Sequence, residues 1–400
     1  MKLLVFYPYI PWPLDRGTYQ RTFHLLKALA RDHDVDFVAL TEEEVSPEKR
    51  AVFEEFCREV EFIPFEHPPW QRLFPQRLLN PLPSNVVHWQ SARVAEQIGA
   101  RIRQGAYDLV HICDLVLAPY ALPHLAQTPF VVDRSRVDLQ FQLMEHRTLD
   151  LPARTRLLRW ESYAKLWRYE KKVARKAALE VVCGPDDKKF IRRHVDRKAP
   201  VMVVPNGVDL DYFQPDAVSD PRSDEPTVMF CGAMDYSPNV DALRWFFSEI
   251  HESLLQHVPE VRVLIVGKNP IPEVQTYAER QGVSVTGGVP DVRPYYRRSW
   301  IQMVPLRIGG GTRLKIVESL AIGTPVVSTT IGAQGLELRH GEDIFLADDA
   351  GSFASGIASL LEDPALRARL ELAGIAVAKE RFGWPAIGER LSRRYHDLIH

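Results

Sequence analysis

A chain of 400 residues, 46% apolar and 26% charged, reads as a soluble globular protein too long for one ordinary domain. Its formal net charge of −2 excludes a wholly basic nucleic-acid binder, so no nucleic-acid partner is expected and only a local basic face remains open. The cysteines, Cys57, Cys113, Cys183 and Cys231, are widely spaced, which suits neither a zinc knuckle nor a disulfide framework and fits a reducing compartment.

The opening "MKLLVFYPYIPWP" has an apolar run that Pro8 cuts short of a signal-peptide core, and no later window approaches the ~18 apolar residues of a membrane span. A cytoplasmic protein is expected. "KLLVFY" reads as the first strand and "DRGTYQRTFHLLKALARDH" marks the helix after it, with Phe23, Leu26, Leu29 and Ala30 on the core face and Arg21 and His24 off it. Apolar runs recur as "VDFVAL", "YDLVHIC", "FVVD", "LEVVC" and "VMVVP", then "TVMFCG", "VRVLIVG", "VSVTG", "IQMVP" and "TPVVST". Rich in Val and Ile and mostly without alternation, they suit strands buried on both faces, linked by the crossover helices of parallel βαβ units. The series divides around "VVPNGVDLDYFQPDAVSDPRSDEPTV", which predicts two doubly wound α/β domains joined near residue 206.

Residues 152 to 178 read as a long helix with Trp160, Tyr163, Trp167, Ala174 and Ala177 on a core-facing side and Arg and Lys on the other. Residues 151 to 200 carry 15 Lys+Arg against 6 Asp+Glu. That face is either simply solvated or a contact for an anionic membrane or acceptor.

In "IQMVPLRIGGGTRLKIVESLAIGTPVV", Ile301 to Pro305 reads as a strand, Gly309, Gly310 and Gly311 as a turn, and Thr312 as the N-cap of a helix running to about Ala321 and stopping near Gly323. Free N–H groups and the positive end of the dipole meet at its start, and bare glycine backbone lets a phosphate approach. Arg313 and Lys315 add the charges that a pyrophosphate needs. Glu318 lies roughly 9 Å beyond Thr312 along the axis, at about 1.5 Å per residue, a distance that suits a ribose. The plainer alternative is a flexible glycine loop before a surface helix with a Lys315/Glu318 ion pair at i, i+3. "FCGAMDYSPNVDALRWF" repeats the strand, glycine and helix pattern at Gly232, with Ser237 as N-cap and Pro238 at the first helical position. "VTGGVPDV" places Gly287 and Gly288 at a further strand end, so the glycine loops cluster where doubly wound sheets bind ligands. No G-x-G-x-x-G follows the first strand and no P-loop occurs, which argues against a dinucleotide dehydrogenase and a P-loop ATPase.

With "VVPNGVD", "VTGGVPDVRPYYRRS" and "VPLRIGGGTRLKIVESLAIGTPVVSTTIGAQGLE" beside these, the second half resembles the donor domain of glycosyltransferase family 4. The first half resembles the acceptor domain through "PWPLDRGTYQRTFHLLKALARDHDV", "YDLVHICD" and "YEKKVARKAALEVVCGPDDKKFI". "RFGWPAIGERLSRRYHDLI" is similar to the C-terminal helix that crosses back. The resemblance implies the GT-B fold, two facing Rossmann-like parallel-sheet domains, here residues 1–205 with 384–400 for the acceptor and 206–383 for the donor.

Carried over by position, Glu318 matches the second glutamate of the E-x7-E motif and the donor ribose, while Gly310 stands where the first glutamate would be. Ala233 and Pro238 or Asn239 occupy the region where many relatives carry an Arg and a Lys after the "FCG" turn. Arg313 and Lys315 are therefore expected to take over the pyrophosphate. The donor-binding set is Gly17, Gly232, Gly288, Gly309, Gly310, Gly311, Thr312, Arg313, Lys315 and Glu318. His111 stands two residues from Cys113, near which relatives carry a histidine, and reads either as a catalytic substitute on the same strand face or as a structural group. Arg21, His24, Asp133 and Arg134 complete the acceptor-side candidates.

The resemblance implies transfer of a sugar with retention of configuration, from a nucleoside-diphosphate sugar to a carbohydrate or lipid-linked acceptor in polysaccharide assembly. It implies neither metal nor cofactor, and closure of the domains about "PNGVD" to exclude water. The basic helix suggests a lipid-linked or anionic acceptor, which would bring a cytoplasmic protein to the inner face of the membrane. A nucleotide-sugar 2-epimerase, another GT-B enzyme such as a phosphorylase, and an inactive sugar-nucleotide-binding partner stay open as alternatives.

Overall fold

The computed structural model describes residues 1–14, 17–68, 80–148, 153–216, 221–308 and 313–399. The chain divides into two compact units, Met1–Pro205 with Ile387–His400, and Asn206–Ala386.

The first unit is built on a seven-stranded sheet of β1 (Lys2–Tyr7), β2 (Asp34–Thr41), β3 (Glu59–Pro64), β4 (Leu109–Cys113), β5 (Phe130–Arg134), β6 (Leu179–Val182) and β7 (Val201–Val203). Its order is β3-β2-β1-β4-β5-β6-β7 and every pairing is parallel. Leu3 to Tyr7 and all of β4 to β6 are buried, as strands covered by helices on both faces must be, which is why their sequences do not alternate. The edge strand β3 obeys another rule. In "EVEFIP" the carboxylates of Glu59 and Glu61 alternate with apolar residues and pair with Arg101.

The second unit holds a six-stranded parallel sheet of β8 (Thr227–Cys231), β9 (Arg262–Val266), β10 (Val283–Val285), β11 (Ile301–Val304), β12 (Val326–Ser328) and β13 (Phe345–Leu346). The order β10-β9-β8-β11-β12-β13 reverses between β8 and β11, just as the first sheet reverses between β1 and β4. At such a reversal the crossover helices leave in opposite directions and open a crevice outside the carboxyl ends of the strands.

Two expectations about helices change. The long helix spans Ala153–Ala174 and turns its buried side along Leu166, Tyr169, Glu170, Val173 and Ala174, while Trp160 is 46% exposed. The reason is electrostatic as well as apolar, because Glu170 must face inward to meet Arg134 at 2.8 Å. The C-terminal helix Trp384–Ile399 joins the first unit from Ile387 rather than from residue 384. The turn before it is held in the second unit, where the Val208 N–H donates to the Phe382 carbonyl at 2.7 Å.

Candidate active site

The carboxyl ends of β8, β9 and β10 close in on one another. The Gly232 N–H donates to the Val266 carbonyl at 3.0 Å, and the Gly267 N–H to the Gly287 carbonyl at 3.1 Å. A Cβ on Gly267 would lie 1.6 Å from the Gly232 oxygen, so this approach requires glycine. A Cβ on Gly232 would lie 2.5 Å from Asn239 Nδ2 and 3.0 Å from Lys315 Nζ. A side chain there would fill the space these groups occupy. Gly288 is different, since an added Cβ would meet only Lys268 at the ordinary distance of 3.5 Å.

The helix after β11 spans Leu314–Ile322, with Arg313 in the capping position and Gly323 closing it in the left-handed conformation at φ 81. The cap is therefore Arg313, one residue later than the expected Thr312, and the helix keeps its last turn through Ile322. Gly309, Gly310, Gly311 and Thr312 lie outside the described residues. Lys315 is the second helical residue, and its Nζ donates to Asn239 Oδ1 at 3.0 Å while standing 4.2 Å over the Phe230 ring. Burial pushes the Lys315 ammonium down to about 8, and Arg313 adds to the fall. One turn on, Glu318 is 8% exposed and its Oε2 accepts from the Tyr296 hydroxyl at 3.2 Å. Tyr296 is itself fully buried, so the carboxylate is held in one orientation. The helix Ser237–Trp245 begins one residue earlier than expected, with Tyr236 as cap, Ser237 as first helical residue and Pro238 as second.

In the first unit the polar candidates are drawn inward. Arg21 does not lie off the core face: it is fully buried, donates to Asp133 Oδ1 at 2.7 Å and to the Val204 carbonyl at 2.8 Å. A buried guanidinium stands only where carboxylate and carbonyl oxygens replace its water. Arg134 is buried likewise, 2.8 Å from Glu170 and 3.1 Å from Glu180. His111 lies in the middle of the sheet with no exposure, and its Nδ1 is 2.6 Å from the Tyr395 hydroxyl of the C-terminal helix. Burial holds the ring neutral, pushed down to about 4. Arg21, Asp133, Arg134 and His111 thus organise the interior of the first unit rather than line an open acceptor surface. Of the acceptor-side set, His24 stays half-buried with its ring against Phe23, and Gly17 of the donor-binding set is exposed as the first residue of the helix Gly17–Asp32.

A model described as Glycosyltransferase Family 4 matches residues 16–212, and one described as Glycosyl transferases group 1 matches residues 225–363. The chain belongs to this glycosyltransferase family. The phosphatidyl-myo-inositol mannosyltransferase of Mycobacterium tuberculosis is 29% identical over 207 residues, 49% of this chain and 53% of that protein. The D-inositol 3-phosphate glycosyltransferase of Xylanimonas cellulosilytica is 29% identical over 241 residues, 54% of this chain and 55% of that protein. The chain thus spans about half the length of these relatives. Among solved structures, sucrose-phosphate synthase from Thermosynechococcus elongatus superposes with a TM-score of 0.72 at 20% identity, over 100% of this chain and 99% of that one. Anabaena HepE in complex with UDP gives 0.66 at 16% identity, over 99% and 100%. These likenesses establish the GT-B fold.

Within that family frame, the structure adds residues that the sequence alone did not single out. Tyr296 orients Glu318, and Asp241 takes Arg307 at 2.7 and 3.1 Å just beyond β11. At the reversal point of the first sheet, the residues beyond the strand ends are Tyr9, whose ring stacks on Tyr19 at 4.9 Å, and Asp114. Asp114 has φ 76, a conformation costly for any residue but glycine, and burial together with Asp138 pushes its carboxyl up to about 6. Only the positive φ sets it apart, and no sequence pattern reports that for an aspartate.

Proposed function

We propose that the protein is a retaining glycosyltransferase that moves a sugar from a nucleoside-diphosphate sugar to a hydroxyl of a lipid-linked or polysaccharide-precursor acceptor, without a metal ion. The observation that carries this reading is the grouping of Arg313, Lys315 and Glu318 at the amino end of one helix, outside the reversal point of the second sheet. Glu318 would accept from the ribose hydroxyls. Arg313 and Lys315 would face the diphosphate, in the place a divalent cation fills elsewhere. HepE, which shares the fold, is described in complex with UDP and with UDP-glucose, and relatives are named for inositol acceptors, one of them a lipid.

The chemistry follows from where charge develops. As the bond between the anomeric carbon and the diphosphate oxygen breaks, negative charge grows on that oxygen, and two cations already oriented there lower the barrier. The acceptor oxygen bonds to the anomeric carbon from the same face, and its proton passes to the departing diphosphate. Such a route needs no strong protein base.

A thermal-shift panel of nucleoside-diphosphate sugars tests the reading, because a ligand bound only by the folded chain raises Tm by mass action. At least one donor is expected to raise Tm in the presence of EDTA, with the shift abolished in Glu318→Ala. Glycoside formed with retained configuration supports the assignment; a sugar altered at C2 with no acceptor consumed would mark an epimerase.

The acceptor side of the proposal rests on the long helix of the first unit. Leu157 is 71% exposed beside the exposed Trp160, and Arg156, Arg168 and Lys172 are exposed along the same helix. Arg192 and Arg193 are exposed on the neighbouring turn, which the helix meets through a bond from Trp167 Nε1 to the His194 carbonyl at 2.7 Å. Apolar side chains among cations match an anionic bilayer surface, where each Lys or Arg adds about 1 kcal/mol. Among the described residues no helix is long and apolar enough to cross a membrane. Co-sedimentation with phosphatidylglycerol vesicles is expected, weakened about tenfold in Leu157→Ser/Trp160→Ser and screened by salt. Equal sedimentation with neutral vesicles would remove the surface from the proposal.

A further inference from the structure

Ala233 and Pro238 or Asn239 occupy the region where the resemblance implies an Arg and a Lys on the diphosphate side. The structure shows what occupies that region instead. Asn239 lies in the first turn of the helix Ser237–Trp245 and is buried, with both ends of its amide engaged. Its Nδ2 donates to the Ala233 carbonyl at 2.9 Å, and its Oδ1 accepts from Lys315 Nζ at 3.0 Å. These partners fix the amide, because a carbonyl can only accept and an ammonium can only donate. The bond also joins the amino ends of two helices, Asn239 being the third residue of one and Lys315 the second of the other. Both positive dipole ends therefore converge beside Gly232, where an added Cβ would meet Asn239 and Lys315 together.

We infer that Asn239 is the positioning residue of the donor diphosphate subsite: it couples the two helix termini and aims Lys315 Nζ across the bare backbone of Gly232. The second helix terminus then supplies positive potential beside Lys315. The same helix also holds Arg307, whose guanidinium donates twice to Asp241, as it holds Lys315 through Asn239. Asparagine suits the position better than aspartate. A carboxylate would face the Ala233 oxygen without a proton to share, and would compete with a diphosphate for Lys315.

This inference rests on the reading of Lys315 as a diphosphate ligand, and the experiment separates the two. Calorimetric titration of the full chain with UDP, GDP, ADP, CDP and dTDP gives affinity as a function of pH, and Tm is measured alongside. Asn239→Ala is expected to bind the preferred diphosphate about tenfold more weakly, with Tm close to the parent's. In Asn239→Asp the affinity is expected to fall too, and its alkaline decline to begin about one pH unit higher, because a carboxylate beside Lys315 keeps the ammonium charged. A merely structural asparagine would not move that limb. If Lys315→Met loses binding while both Asn239 variants keep the parent's affinity and pH limb, the inference is overturned and the subsite stands. If Lys315→Met binds as the parent does, or the parent binds none of the diphosphates, the subsite reading fails and takes the inference with it.

Discussion

Lys315→Met is expected to weaken nucleoside-diphosphate binding by about 100-fold or more while making the unliganded protein more stable. The first effect is the loss of a desolvated cation from an anion site, where charge-assisted bonds are strongest. The second follows from the sign of the ammonium's shift. In the unfolded chain a lysine titrates near 10.5, and in the folded protein burial lowers Lys315 to about 8. Between those values the unfolded chain binds more protons, so stability rises with pH across that window and below it the full penalty of a buried ammonium stands. Methionine removes the penalty and keeps the volume, raising Tm by roughly a few degrees at neutral pH. Binding has the opposite slope. Diphosphate affinity is expected to be flat at neutral pH and to fall about tenfold per unit above 8, as the free protein loses the proton the complex must hold. Titration calorimetry and thermal melts from pH 6.5 to 10 check both slopes. A methionine variant less stable than its parent would show that the bond to Asn239 outweighs the burial of the charge.

What could be read from sequence depended on how far apart the cooperating residues lie. Arg313, Lys315 and Glu318 were legible because one helix carries them, so spacing alone puts them on a common end. Asn239 was seen only as the occupant of a missing cation's place, since its partner Lys315 is 76 residues away. Tyr296 sits in a short "RPYYRR" segment where nothing distinguishes it from Tyr295. Strands buried on both faces announced themselves as unbroken apolar runs. The edge strand Glu59–Pro64 did not, because its exposed positions carry glutamates, and Phe345–Leu346 is too short to show any pattern. The most instructive error concerns charge. Helical spacing puts Arg21 off the core face, and Asp133 and Arg134 stand among the acceptor-side candidates, yet all three are buried. Their partners, Val204, Glu170 and Glu180, come from distant segments, and only the tertiary fold turns isolated charges into satisfied pairs.

That interior network sets the largest stability effect. Arg134→Met is expected to destabilise the protein by about 3–5 kcal/mol, because it leaves two buried carboxylates without their common cation. One guanidinium between Glu170 and Glu180 is already an incomplete match: Arg134 is held firmly charged, while burial pushes the Glu170 carboxyl up to about 7. The sign is opposite to that of an ordinary salt-bridged acid. Between the unfolded value of 4.5 and about 7 the folded state binds the extra proton, so this group's penalty is full above pH 7 and is relieved as the pH falls toward 4.5. Glu170→Gln should therefore stabilise the protein at pH 8, change little near pH 4.5, and flatten the stability curve between them, provided the amide still accepts from Arg134. Buried histidines act in the other direction, since His111 is neutral in the fold and its penalty grows as the pH drops from 6.5 toward 4. Denaturant unfolding of parent and Glu170→Gln at pH 5, 6, 7 and 8 isolates the carboxyl, because the histidine contribution is common to both and cancels in the difference. A constant difference across that range would mean that Glu170 is ionised throughout and that Arg134 satisfies both carboxylates. In that case Arg134→Met would cost still more, and Arg134, Glu170 and Glu180 would stand as a complete ion triad against the long basic helix.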